Sequence, residues 1–152
     1  MYTVLTLLLI GVAGYALIRQ NKKQKSQLKP GNRSSFEAFV SEQEFVDMVL
    51  ETSKHTPVMV DFFAAWCNPC KAFAPVLSET VRAYGGAYLL AKVDVDANKK
   101  LAQQYNIQSM PTILIFKNEE CVHRFTGAMQ PHSLRYVLAT NEIQKLEQAE
   151  KI

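Results

Sequence analysis

Two cysteines separated by two residues are the first candidates for chemistry in this sequence. Cys67 and Cys70 lie in the segment Trp-Cys-Asn-Pro-Cys-Lys, residues 66–71. This spacing is used for thiol–disulfide exchange, for half of a zinc site, and for haem attachment. A zinc ribbon needs a second pair, whereas Cys121 is the one cysteine left, and haem attachment needs a histidine where Lys71 stands. The spacing therefore favours redox chemistry without a metal.

The position of the pair in the chain predicts different roles for the two thiols. An apolar run with β-branched residues, 58–63, predicts a buried strand, and a helical pattern follows it, so Cys67 falls at the start of a helix. Free N–H groups and the helix dipole favour a thiolate there. Cys67 is therefore the expected nucleophile. Cys70, nearly one turn further on, is expected to resolve a mixed disulfide, and Pro69 suits the first turn.

Asp61 is the most informative charged residue, because it interrupts the apolar strand six residues before Cys67. A carboxyl group in such a strand loses hydration, which raises its pKa and suits it to exchange a proton with Cys70. The alternative is an aspartate at an exposed edge of the sheet.

The remaining pattern predicts the elements that position these residues. Strands alternate with helices, which implies parallel pairing, and a final hairpin adds antiparallel strands, giving an α/β fold with a mixed sheet between helices. Strands are expected at Phe36–Val40, Val58–Phe63, Tyr88–Val93, Thr112–Phe116 and Cys121–Phe125. Helices are expected from Ser41, with Glu44 in a capping box, from the cysteines to Gly85, at Asn98–Tyr105, and from about His132.

Charge in this chain is concentrated near the amino terminus. Six of the 17 basic residues lie between Arg19 and Arg33 with no acidic residue before Glu37, so the rest of the chain, with all 14 acidic residues, is slightly acidic. A nucleic-acid-binding domain needs basic residues gathered on the folded domain itself. We therefore expect no nucleic-acid partner.

The first 18 residues carry no charge and are rich in aliphatic side chains. As a helix they would span about 27 Å, close to the ~30 Å hydrocarbon core of a bilayer. The sequence predicts a transmembrane anchor at 1–18, a basic and polar linker at 19–35, and a globular domain at 36–152. A cleaved signal peptide is less favoured because the charge follows the apolar run. By the positive-inside rule the domain faces the cytosol.

Two longer segments resemble the thioredoxin family. These are Val-Asp-Phe-Phe-Ala-Ala-Trp-Cys-Asn-Pro-Cys-Lys at 60–71, followed by Pro75, and Ser-Met-Pro-Thr at 109–112. The resemblance runs in one register from about Phe36 to Asn141. It implies a thioredoxin fold, here preceded by one transmembrane helix, and a redox-active disulfide with no separate cofactor.

The resemblance also implies a substrate groove around the cysteines. Pro111 would be a cis-proline facing them, and Met110 would offer its backbone to an extended substrate segment. Trp66, Pro69 and the turn at Gly127 would complete the groove. Asp61, with Lys92 as its charged partner, would exchange a proton with Cys70, and Pro75 would kink the helix.

Three residues depart from the family pattern, and each has an expected consequence. Asn68 replaces the usual Gly and is expected to tune the redox potential. Phe63 replaces a common Trp and is expected to change only the packing. Glu119 replaces the hairpin Gly, which leaves Asn118 to supply any positive φ. Cys121, on a strand, is expected to be a buried structural thiol rather than a third redox centre. His55, His123 and His132 lack metal-ligand spacing and are expected to be surface or loop residues.

The sequence leaves three functions open. The first is a protein-disulfide reductase, which the family implies is re-reduced by a thioredoxin reductase. The second is an oxidase or isomerase in an oxidising compartment, which needs the opposite topology. The third is a thioredoxin-fold module that binds a partner without turnover, against which the intact cysteines, Asp61 and Pro111 argue.

Overall fold

A computed structural model describes the backbone of residues 36–149 and the side chains of residues 36–140. Its strands are β1 (Glu37–Phe39), β2 (Val58–Phe63), β3 (Leu89–Asp94), β4 (Thr112–Lys117) and β5 (Glu120–Thr126). Its helices are α1 (Val46–Glu51, π-helical), α2 (Asn68–Ala83), α3 (Lys99–Gln104) and α4 (Pro131–Ala149). The anchor and linker predicted for residues 1–35 lie outside this range. Within the described range, no helix is long and apolar enough to cross a membrane.

The strands form one mixed sheet in the order β1-β3-β2-β4-β5. β3 pairs in parallel with both β1 and β2, whereas β4 runs antiparallel to β2 and to β5. β2 is thus paired on both sides, and almost all of its side chains are buried. The predicted mixed sheet is confirmed, and β2 carries Asp61 into its centre.

Helices cover both faces of the sheet. On one face, Tyr105 at the end of α3 contacts Phe62 of β2, Phe116 of β4 and Phe45 just before α1. Successive residues of a strand point to opposite faces, so Asp61 lies on the other face, beneath α2. As the helical spacing predicted, α2 turns an apolar stripe to that face. The structure also packs α2 against α4. The buried members of this layer include Phe73, Leu77, Val81, Leu134 and Leu138.

The first helix begins later than the sequence predicted. Residues 42–44 form turns, and α1 starts at Val46 rather than next to Ser41. Ser41 and Glu44 do interact, because the Ser41 N–H and hydroxyl donate to the Glu44 carboxylate at 3.2 and 2.6 Å. The capping contact therefore stabilises the turn before the helix.

The β4–β5 hairpin turns through two residues with positive φ, Asn118 at 51° and Glu119 at 67°. The expectation that Asn118 alone would adopt this conformation was wrong. Two-residue hairpins favour positive φ at both positions because that geometry matches the twist of the strands. Ser53 fixes the turn, since its carbonyl and hydroxyl accept the N–H groups of Asn118 and Glu119 at 2.9 and 2.8 Å.

Glycine at position 119 should stabilise the fold. A side chain in the left-handed region is unfavourable by roughly 1–2 kcal/mol, so we expect Glu119→Gly to raise the free energy of unfolding by about 1 kcal/mol. Urea unfolding measures this. Glu119→Gln is the matched control, because it removes the exposed Lys54 ion pair at 3.2 Å but keeps the strain. A loss of stability in the glycine variant alone would contradict the strain argument.

Candidate active site

A disulfide joins Cys67 and Cys70 at the junction of β2 and α2, with an S–S distance of 2.10 Å. β2 ends at Phe63, and Cys67 is the N-cap residue of α2, as the sequence predicted. The Cys67 sulfur accepts a hydrogen bond from the Cys70 N–H at 3.2 Å. In the reduced protein, the same N–H and the helix dipole stabilise negative charge on Cys67.

The residues around the disulfide are more exposed than the disulfide itself. Cys67 and Cys70 are 5% and 4% exposed, whereas Trp66 is 64% exposed and Asn68 and Pro69 also face solvent. An incoming partner therefore meets the Trp66 ring and the first turn of α2 before it reaches the sulfurs.

Asp96 holds the Trp66 ring in place, because its carboxylate accepts the indole N–H at 2.9 Å. Sequence analysis did not identify this residue. The two lie 30 positions apart, and the one signal in the sequence is that an indole N–H needs an acceptor.

The loop before β4 faces the Cys67–Cys70 disulfide. The Met110–Pro111 peptide bond is cis, as the resemblance implied. Met110 packs against the small cluster formed by Ala64, Cys67 and Cys70. Gly127 has φ of 90°, and its N–H donates to the Pro111 carbonyl at 2.8 Å. A Cβ added at Gly127 would meet nothing within 4 Å, so glycine is needed there for its backbone conformation.

Asp61 is 2% exposed, which excludes the exposed-edge alternative. Its Oδ1 has no hydrogen-bond partner among the residues described. Burial raises the pKa of this carboxyl group to about 7, and the positive charge of Lys92 opposes the rise. Near neutral pH, Asp61 can therefore either hold or release a proton.

A cavity of about 340 Å³ connects this carboxyl group with the active site. It lies between the first turns of α2 and the sheet, and both Asp61 and Cys70 line it. Its other lining residues are Phe39, Phe63, Ala64, Ala65, Lys71, Ala74 and Lys92. The structure thus brings Asp61 and Cys70, the predicted acid–base residue and the predicted resolving cysteine, to one site.

Lys92 lies opposite Asp61 in the β2–β3 register, but its ammonium group pairs elsewhere. The Lys92 Nζ lies 2.8 Å from the Glu37 carboxylate on β1. Lys92 therefore acts on Asp61 through its charge rather than through a hydrogen bond. Sequence analysis proposed the Asp61–Lys92 pair and missed Glu37.

Cys121 is exposed, so the expectation of a buried thiol was wrong. It lies on the edge strand β5, most of whose side chains face solvent, and a register shift between Ile115 and Phe116 makes the β4–β5 pairing irregular beside it. Partial desolvation raises the pKa of its thiol.

His55 and His132 are exposed, His123 is half-buried, and no metal-binding cluster occurs within the described part of the chain.

Enzymes of thiol–disulfide exchange use a reactive cysteine pair at a helix N-terminus. The fold and the Cys67–Cys70 disulfide at the start of α2 define this class of protein. The domain is a thiol–disulfide oxidoreductase. Residues 36–140 match the family model described as thioredoxin, and the chain belongs to that family.

Several curated thioredoxins are similar to this chain. It is 42% identical over 95 residues to thioredoxin M-type, chloroplastic, of Spinacia oleracea, and 42% identical over 94 residues to probable thioredoxin-2 of Caenorhabditis elegans. These matches cover 62% of this chain, and 51% and 63% of the two relatives. Thioredoxin 1 of Synechococcus elongatus is 40% identical over 104 residues, which is 68% of this chain and 95% of that protein.

Proposed function

We propose that this protein is a protein-disulfide reductase in which Cys67 is the nucleophile and Cys70 the resolving thiol. The observation that carries the proposal is the Cys67–Cys70 disulfide at the N-terminus of α2, beside the cavity that holds Asp61. The family membership supports it, because a dithiol of this kind can donate two electrons to a substrate disulfide.

The reaction runs in two exchanges. The Cys67 thiolate attacks one sulfur of the substrate disulfide, that S–S bond breaks, and the other substrate sulfur leaves as a thiolate. Cys70 then attacks the Cys67 sulfur, which releases the second substrate thiol and forms the Cys67–Cys70 disulfide. Two electrons pass from the protein to the substrate. A thioredoxin reductase is the proposed donor that restores the dithiol.

Asp61 would accept the proton that Cys70 loses when it attacks. A carboxyl group with a pKa of about 7 is well matched to proton transfer at neutral pH. It lines the same cavity as Cys70, so the two groups face a common space in which the proton can be exchanged.

The groove formed by Trp66, Met110 and Gly127 would hold the substrate chain. An exposed aromatic ring with a fixed orientation is a strong contact for a partner. We expect Trp66→Ala to raise KM for a protein disulfide about fivefold to tenfold with little change in kcat, because this loses roughly 1–1.4 kcal/mol of binding. Steady-state reduction of insulin disulfides measures both constants. Val122→Ala, at an exposed apolar residue of β5, is the control, and an equal rise in KM there would contradict the groove.

The redox potential distinguishes a reductase from an oxidant. We expect the full-length protein, equilibrated in glutathione or dithiothreitol buffers, to show a Cys67–Cys70 potential near that of thioredoxin, about −270 mV. A value between about −180 and −120 mV is typical of isomerases and oxidants. Such a value would overturn the reductase proposal and would mean that Asn68 has shifted the pair.

We further propose that residues 1–18 anchor the protein in a membrane and that the domain faces the cytosol. The support is the uncharged run at 1–18 and the Lys and Arg residues that follow it.

Cys121 offers a direct test of this topology, because it is exposed. In a Cys67→Ser/Cys70→Ser variant, Cys121 is the one thiol in the sequence. A membrane-impermeant maleimide should label it in permeabilised cells but not in intact cells. Cys121→Ser in the same background is the control. Labelling of intact cells would reverse the proposed orientation, and recovery in the supernatant after carbonate extraction would contradict the anchor.

A further inference from the structure

The Lys92 side chain crosses from the centre of the sheet to its β1 edge. Its Nζ lies 2.8 Å from a Glu37 carboxylate oxygen, 3.4 Å from the Ser78 hydroxyl and 5.7 Å from the centre of the Phe39 ring. Ser78 also donates to the same Glu37 oxygen. These three neighbours thus fix the ammonium group at the β1 edge of the sheet.

Two carboxyl groups on the same face of the sheet interact with the Lys92 ammonium group, Glu37 through an ion pair and Asp61 through the charge alone. Asp61 is the register partner of Lys92 in β2, and Glu37 lies on β1 at the other side of β3. The ammonium group pairs with Glu37, and the Asp61 Oδ1 has no hydrogen-bond partner among the described residues. The lysine stem is long and flexible, so what decides between the two positions is the competition between the two carboxylates.

We propose that Glu37 is a positioning residue for the redox reaction: it holds the Lys92 ammonium group at the β1 edge and so leaves Asp61 unpaired and free to take the Cys70 proton. This inference rests on the reductase function proposed above. Neither the sequence analysis nor the family resemblance gave Glu37 a role.

The charge state of Glu37 supports this role. Burial opposes its ionisation, but hydrogen bonds from Lys92 and Ser78 outweigh burial and lower the pKa of Glu37. Glu37 is therefore a carboxylate at neutral pH, where Asp61 is changing its charge. The Phe39 ring adds a cation–π contact, which holds Lys92 over the edge strand.

Without the Glu37 carboxylate, no opposite charge would hold Lys92 at the β1 edge or partly neutralise its field. Lys92 would then stabilise the ionised form of Asp61 more strongly. An opposite charge within ~4–6 Å lowers a carboxyl pKa by about 1–3 units. The other charged or titratable groups that line the cavity are Cys70 and Lys71 of α2, while β4 contributes the apolar Ile113 beside Asp61. Of the two lysines that line the cavity, Lys92 is the one that pairs with Glu37, so Glu37 can change the charge near Asp61 by holding Lys92.

The test is the pH profile of full-length Glu37→Gln in insulin reduction. The amide keeps the shape of the side chain but loses its charge. We expect the midpoint at which turnover rises with pH to move down by about one unit, because a carboxyl group facing an opposite charge ionises at lower pH. In the double variant Glu37→Gln/Lys92→Met, the midpoint should move back up, because the cation is gone.

Glu51→Gln is the matched control, since Glu51 also pairs with a lysine, Lys54, at 2.9 Å, on the exposed side of α1. It should leave the midpoint unchanged. An unchanged midpoint in an active Glu37→Gln protein, or the same shift with and without Lys92, would overturn the inference.

A direct titration separates this inference from the proposed function. The 13C signal of the Asp61 carboxyl group, followed by NMR in the oxidised protein, reports its ionisation whether or not the protein turns over. If the wild-type protein reduces no disulfides, the reductase proposal fails, yet a downward shift of this titration in Glu37→Gln still supports the positioning of Lys92. The absence of that shift overturns it.

Discussion

Replacing Cys70 by serine should leave the protein covalently attached to its substrate through Cys67. The first exchange needs only the Cys67 thiolate, but the second needs a thiol at position 70. We expect multiple turnover to fall by roughly 1000-fold or more, because each protein molecule stops at the mixed disulfide. The mixed disulfide should be visible as a slower band on a non-reducing gel and should disappear with dithiothreitol.

Two variants make this result specific. Cys67→Ser should lose turnover to the same extent but form no complex, because the residue at the helix N-terminus is the one that attacks. Cys121→Ser should keep its activity, because Cys121 lies on β5, outside the cavity and the groove. A stable complex with Cys67→Ser, and none with Cys70→Ser, would mean that the two roles are reversed.

The residues that a local pattern determines were predictable from the sequence. Cys67 follows a buried strand and opens a helix, so its place at the N-cap depends on only a few neighbouring residues. Asp61 stands in an apolar run, so its burial follows from the strand that carries it. The cis bond before Pro111 was implied by the family resemblance rather than by any local pattern.

Residues whose environment depends on tertiary contacts were not predictable in this way. Cys121 was expected to be buried because a free cysteine on a strand is usually a structural thiol, but β5 is an edge strand with a shifted register. The partners of Trp66 and Lys92, Asp96 and Glu37, come from distant parts of the chain. No periodicity of the sequence encodes such side-chain pairs, because they depend on how the strands and loops are placed beside one another.

Replacing Asp61 by asparagine should change the stability of the protein in a pH-dependent way. The carboxyl group ionises near pH 3.8 in an unfolded chain but near 7 in the folded protein. Between these values the folded state binds more protons than the unfolded state, so the wild-type protein loses stability as the pH rises. The loss should reach about 4 kcal/mol above pH 7, at about 1.36 kcal/mol per pKa unit.

Asparagine does not ionise in this range, so this loss should be absent in Asp61→Asn. Urea unfolding of the oxidised proteins at several pH values from 4 to 9 measures the difference. At pH 4, the difference in free energy of unfolding between the two proteins reports how well the amide packs in place of the carboxyl group. The increase in this difference from pH 4 to pH 8 reports the ionisation of Asp61. If the difference between the two proteins stays constant over this range, Asp61 does not have the raised pKa.

The same substitution should slow turnover. An ordinary thiol with a pKa of about 8.5 is only about 3% thiolate at pH 7, so a base that takes the Cys70 proton can accelerate the second exchange by up to about thirtyfold. Asp61→Asn should therefore reduce turnover about tenfold to thirtyfold at pH 7, and the deficit should shrink toward pH 9, where the thiol ionises unaided. Equal rates from pH 6 to 9 would contradict the proton transfer. The buried carboxylate thus destabilises the fold but accelerates the reaction. Asp61→Asn should therefore be both more stable and slower than the wild-type protein at neutral pH.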